Sequence, residues 1–201
     1  MTAFFTECFI DELAAEAGRD PFLYRMALLG GAPRMAECLR RATRLGEWDG
    51  ARSGSGQGVA MVRMGNDPQT AGHIACVAQA GMGAGGARVT RLSATVDIGR
   101  IVNLDIARQQ IEGGLVFGLS LALGSSVRFE NGHPVPRNMG ALGLPRLADC
   151  PDIVVDFIPS DAEPFDPGEL GVAVAAPAIA NALFAATGLR MRRLPLLSEG
   201  L

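Results

Sequence analysis

At 201 residues the chain has room for one compact domain or two small ones, and with 48 % apolar but only 5 % aromatic residues its core must be built from small side chains packed closely against backbone. The net charge is −3 with acids and bases scattered, which excludes the basic footprint of a nucleic-acid binder. All 18 basic residues are arginine, so Schiff-base chemistry, a lysine general base and a Walker-A phosphate lysine are excluded together.

Residues 4–17 carry Phe5, Phe9, Ile10 and Leu13 on one side and acids on the other, an amphipathic helix. The first residues lack the basic and long apolar regions of a signal peptide. Asp20-Pro21 reads as the N-cap and first position of a second helix ending near Gly30-Gly31, and Ala32-Pro33 opens a third running to about Leu45. These helices form a unit over 1–48, and the glycine- and serine-rich stretch from Gly50 to Gly58 is the expected hinge to a second unit over 49–201.

From Val59 the period changes to that of strands: Val59 to Met64, Gly72 to Ala80 and Arg88 to Val96. Gly81-Met82-Gly83-Ala84-Gly85-Gly86 contains the G-x-G-x-x-G pattern, but an alternating strand follows where a dinucleotide fingerprint needs a helix. A glycine-rich hairpin turn is therefore expected. Residues 103–124 are helical, Val127 to Phe129 and Ile153 to Ile158 read as short strands around a loop at 131–151, and a last helix is expected from Pro177 to Gly188. The fold class is α+β, mixed strands packed with helices. No uncharged apolar stretch approaches ~20 residues, so no membrane span is expected. The cysteines at 8, 38, 76 and 150 lack zinc, redox or iron–sulfur spacing and are expected as four buried free thiols.

Three motifs bear on chemistry. In Asp97-Ile98-Gly99-Arg100-Ile101-Val102-Asn103, Gly99 serves a turn and Asn103 an N-cap. Gln110-Ile111-Glu112-Gly113-Gly114, followed by Gly118, places adjacent glycines inside a helix at ~1 kcal/mol each relative to alanine. Either another helix packs tightly there or a flat ligand comes close, with the Gln110 amide able to donate and accept beside it. In Gly168-Glu169-Leu170-Gly171 a lone acid stands among apolar residues, a setting that can make a carboxylate a general base, although a surface glutamate fits the same spacing. His73 and His133 carry no assigned role.

Four segments, in this order, resemble the molybdenum hydroxylase family of xanthine dehydrogenase and aldehyde oxidase, in its isoquinoline 1-oxidoreductase β-subunit branch. They are Phe4–Ala14 with Gly18-Arg19-Asp20-Pro21, Val96–Asn103, Gln110–Gly118, and Gly168–Gly171 with Ala176–Ala182. The resemblance implies the C-terminal part of a cofactor-binding large subunit holding molybdenum–molybdopterin cytosine dinucleotide. It implies that Gln110, Glu112, Gly113, Gly114 and Gly168 lie near that cofactor and that Glu169 is the base beside the metal, with no side-chain metal ligand. The implied reaction is hydroxylation of an aldehyde or N-heteroaromatic carbon. The implied partners are the missing N-terminal part of the large subunit and an iron–sulfur small subunit that carries the electrons away. The chain departs from the family at Ala173-Val174, where Pro-Pro is usual, at Gly65-Asn66-Asp67, and around Ala141-Leu142 before Leu144-Pro145-Arg146. The alternative is a non-catalytic remnant or assembly partner that keeps the fold without the cofactor. The compartment is not encoded.

Overall fold

The computed structural model describes residues 2–67, 69–83, 86–196 and 198. It opens with helices α1 (Thr2–Glu16), α2 (Pro21–Leu28) and α3 (Pro33–Leu45). Asp20 caps α2 as the sequence implies, accepting hydrogen bonds from the Phe22 and Leu23 amides at 2.7 and 3.0 Å. Its carboxylate also accepts the Trp48 indole N–H, tying the end of the helical stretch to its middle.

Strands β1 (Gln57–Met64), β2 (Gly72–Gly83) and β3 (Gly86–Asp97) follow as an antiparallel meander. Gly83 pairs with Gly86, so the glycine run is a hairpin, although Ala84 and Gly85 lie outside the described residues. After helix α4 (Leu104–Leu123), strands β4 (Phe129–Glu130) and β5 (His133–Pro134) make a two-stranded ribbon. The strand expected at Val127–Phe129 thus shifts. Asn131 and Gly132 both have positive φ (51° and 78°), the signature of a tight hairpin turn that sets where pairing begins. Strand β6 (Asp152–Phe157) then joins β3 in parallel, giving the sheet order β1-β2-β3-β6. Helix α5 (Leu170–Thr187) completes the fold.

The sheet is covered on both faces, which is why β2 reads as a nearly continuous apolar run. Ala75 and Val77 point to Met35, Cys38, Leu39 and Ala42 of α3. Ile74, Cys76 and Ala78 point the other way, into the larger core with α5 and α4. The α5 backbone lies so close to β1 that a Cβ on Gly58 would overlap Ala178 and Ala182, and the Asn181 amide donates to the Val59 carbonyl at 3.1 Å.

Three further expectations are corrected. Helix α5 begins at Leu170 and holds Pro177 in its interior. Such a proline costs ~3 kcal/mol in an isolated helix, but here 13 of the 18 residues are buried, and packing outweighs local preference. By length and composition α5 could also cross a membrane, yet it serves as the core helix.

The second correction concerns α1, which turns its acidic side inward. Phe5 and Phe9 are 57 % and 60 % exposed, whereas Glu7 and Asp11 are buried. Phe4, Cys8 and Ala14 share the acids' side and let the helix lie close on the core. The fully buried Arg25 donates to the Glu7 carboxylate at 3.0 Å and to the Glu7 and Pro21 carbonyls. Arg190 donates to Asp11 at 2.7 Å. The Glu7 carboxylate also accepts the Met61 N–H of edge strand β1 at 3.0 Å. Burial pushes the Glu7 carboxyl above its ordinary range, against the pull of Arg25.

The third concerns the thiols. Cys8, Cys38 and Cys76 are buried, and burial pushes each up to about 12, but Cys150 is exposed.

Candidate functional site

The site grows from the joints around α4. Gly99 has φ +70°, and a Cβ there would run into the carbonyls of Ala162 and Glu163. Only glycine lets the 98–100 turn and the 160–168 loop meet, and two backbone bonds then stitch them: Arg100 N–H to Ala162 O (2.8 Å) and Phe165 N–H to Ile98 O (2.9 Å). The Phe165 ring packs on Gly72, where a Cβ would collide with it. Asp97, at the end of β3, receives Arg34 of α3 through two bonds of 2.7 Å and the Gly99 N–H at 3.1 Å. Burial raises the Asp97 carboxyl, but these donors prevail and hold it below its ordinary value. Asn103 caps α4 by accepting the Ile106 N–H at 3.1 Å.

This clamp delivers Gly168 and Glu169 to the flank of α4. The Asp166 carboxylate accepts the Gly168 N–H at 3.0 Å. A Cβ on Gly168 would lie 3.9 Å from the Gln110 side-chain oxygen, so these two expected residues are neighbours.

The glycines of α4 divide their work. Gly114 is buried, and a Cβ there would sit 3.3 Å from Gly171 Cα. A Cβ on Gly118 would come within 2.7 Å of the Ala175 Cβ and 2.8 Å of the Val172 carbonyl oxygen, and one on Gly171 within 2.6 Å of the Ile111 oxygen. These serve the α4–α5 crossing. Gly113 is different: its missing side chain faces open space, with nothing within 4 Å.

That space is a slot of about 370 Å³ lined by Gln109, Gln110, Gly113, Phe117, Gly168 and Val172, among others. Phe117 and Val172 form a ridge whose far side borders a second hollow, an apolar bay of about 560 Å³ that contains Glu169. Glu169 is the N-cap residue of α5; its carbonyl accepts the Ala173 N–H at 3.1 Å while its carboxylate makes no cap bond. The side chain is exposed, so the walls of the bay border it without enclosing it.

The structure brings together Gln110, Gly113, Gly114 and Gly168, and sets Glu169 across the ridge. It does not bring Glu112 to the slot. Glu112 lies 4.0 Å from Arg108, which donates to the Val155 carbonyl on β6 and stacks over Phe157. Gln109 and Phe117 were missed by the sequence reading. Their signal was spacing alone, since positions 109 and 117 each lie four residues from Gly113 on the helix surface. A larger groove of about 610 Å³ between α1 and the start of α3, lined by Ile10, Met35, Arg63 and His73, contains none of the expected site residues.

The molybdopterin cofactor-binding domain family matches this chain over residues 45–151. The membrane-bound aldehyde dehydrogenase [pyrroloquinoline-quinone] of Gluconacetobacter polyoxogenes is 34 % identical over 96 % of the chain and 27 % of its own length. The isoquinoline 1-oxidoreductase subunit beta of Brevundimonas diminuta is 30 % identical over 96 % of the chain and 25 % of its own length. The chain therefore spans about a quarter of these relatives. The aldehyde oxidoreductase structure from Desulfovibrio desulfuricans superposes with a TM-score of 0.53 at 28 % identity, over 63 % of this chain and 14 % of that one.

Proposed function

The chain belongs to the molybdopterin-binding family of the molybdenum hydroxylases, and from that premise we propose that it supplies one wall of the cofactor site and the catalytic base of such an enzyme. The observation that carries the reading is the pair of hollows sharing the Phe117–Val172 ridge, one opened by glycines and lined by amides, the other apolar with a single carboxylate.

The slot fits a flat, polar-edged group. Gly113 leaves room for a ring, and the Gln109 and Gln110 amides offer donors and acceptors not engaged within the described residues. Gln110, Gly113 and Gly168 would hold the molybdopterin, which we take to be the cytosine dinucleotide form. When bound, that group supplies the oxidising and oxygen-transferring centre for hydroxylating an aldehyde or an electron-poor N-heteroaromatic carbon. The chain's own task is a proton transfer. Glu169 takes up the proton released as the new carbon–oxygen bond forms, and the Asp166-to-Gly168 bond holds the Glu169 backbone at the mouth of α5. Two electrons leave the carbon per turnover, and an iron–sulfur partner carries them off. The exposed stripe of Phe5 and Phe9 on α1 is where we seat the rest of the large subunit, since an apolar face of this kind needs a cover.

In the complete enzyme, Glu169→Gln should keep the molybdenum content while turnover falls by about 10²–10⁴-fold, the usual loss for a positioned acid–base group. Glu163→Gln, in the same loop but outside the bay, is the control. Near-wild-type turnover with Glu169→Gln would remove Glu169 as the base.

A further inference from the structure

The bay beside Glu169 has a composition that sorts ligands by charge. Its walls come from Phe4, Met64, Phe117, Leu121 and Leu194, with the neutral residues Ser125 and Ser126 also in the lining. Glu169 is the one ionisable side chain among the described residues lining it. Arg63, Arg128 and Arg193 each adjoin a lining residue in sequence, yet none lines the bay. The chain does place arginines in a hollow elsewhere, since Arg34 and Arg63 line the groove between α1 and α3.

We propose that this bay selects substrates with a neutral, apolar body and turns away those that carry an anionic substituent. The inference rests on the assignment of the bay to substrate. Two effects act in the same direction. An anionic substituent gives up hydration against Phe4, Leu121 and Leu194 with no cation among the described lining residues to replace it. It also meets the Glu169 carboxylate in the same space, and like charges brought together oppose binding. A neutral ring gains from covering the same walls and meets neither obstacle. Specificity then comes chiefly from repulsion of the wrong partner.

The experiment compares kcat/KM of the complete enzyme for benzaldehyde and 4-formylbenzoate, a pair that differs by one carboxylate. The expected result is a preference for benzaldehyde of at least about tenfold. Ser126→Arg, which puts a cation on the rim, should narrow that ratio by raising kcat/KM for the anion. A readout free of turnover uses the 201-residue chain with two unreactive probes: ligand-observed NMR should detect benzamide in the bay and much weaker binding of benzoate. Equal kcat/KM for the two aldehydes, equal binding of the two probes, or a ratio unmoved by Ser126→Arg would overturn the proposal. Its failure is separable from that of the base assignment. If Glu169→Gln abolishes turnover of both aldehydes while the wild type treats them alike, only the charge selection falls. If Glu169→Gln turns over normally, the base assignment falls.

Discussion

Substituting Gly113 and Gly118 one at a time with alanine should raise stability at the first and not at the second, because identical residues on one helix do different work. An alanine at either position gains about 1 kcal/mol of helix propensity over glycine. At Gly113 nothing lies within 4 Å of the added methyl, so the gain stands. For a chain of this length 1 kcal/mol corresponds to a rise in Tm of about 2–4 °C. At Gly118 the methyl would sit 2.7 Å from the Ala175 Cβ and 2.8 Å from the Val172 carbonyl oxygen. Overpacking of this kind costs about 1–3 kcal/mol, so the net change runs from near zero to a loss of about 2 kcal/mol. Thermal unfolding of the two variants by circular dichroism measures both. The functional half runs against the stability half: in the complete enzyme Gly113→Ala should lower molybdenum content, because its methyl enters the slot. A fall in Tm for Gly113→Ala would refute the open-space assignment, and a raised Tm with undiminished molybdenum would refute the slot as cofactor wall.

Arg25→Met should destabilise the fold by about 3–5 kcal/mol, measured by urea unfolding, because Glu7 and Asp11 would remain buried with one counter-charge fewer. Asp97→Asn should cost most at neutral pH. The folded-state carboxyl lies below its unfolded value, so its contribution is fully present above about pH 3.9 and is lost as pH falls through the folded value; the gap between wild type and variant should close in acid unfolding curves. Thiol titration with a disulfide reagent should find one fast thiol in the native chain, Cys150, and all four only after denaturation, because Cys8, Cys38 and Cys76 are buried.

Much of this architecture is legible locally. Asp20 and Asn103 announce their helices because an N-cap is a contact over two or three residues. The alternation after Gly86 is enough to replace a nucleotide turn with a hairpin. The inward face of α1 was not legible. Glu7 and Asp11 are burial-compatible only because Arg25 and Arg190 arrive from 18 and 179 residues away, and no window on α1 contains them. The start of α5 was missed for a related reason. Proline preference is a local rule, and a helix buried on nearly every side is set by its neighbours. At the site, the family resemblance gave Gln110, Glu112, Gly113, Gly114 and Gly168 as a group, of which Glu112 stands beside Arg108 and away from the slot. The resemblance could not separate Gly113 from Gly114, because that distinction depends on where α5 crosses.

The crossing has a consequence for how the site would hold its shape. Between the slot and the bay, α4 and α5 meet through Gly114, Gly118, Gly171 and Ala175, residues with no χ1 rotamer to change. Long side chains at such a contact could hop and let the helices breathe by an ångström. Here the spacing is set by main-chain surfaces in touch, and no side-chain rearrangement can widen it. The offset between Gly113 and the Glu169 backbone is in that sense a fixed gauge, set when the chain folds and ready before a ligand arrives, as the proposed role of Glu169 as proton acceptor would require.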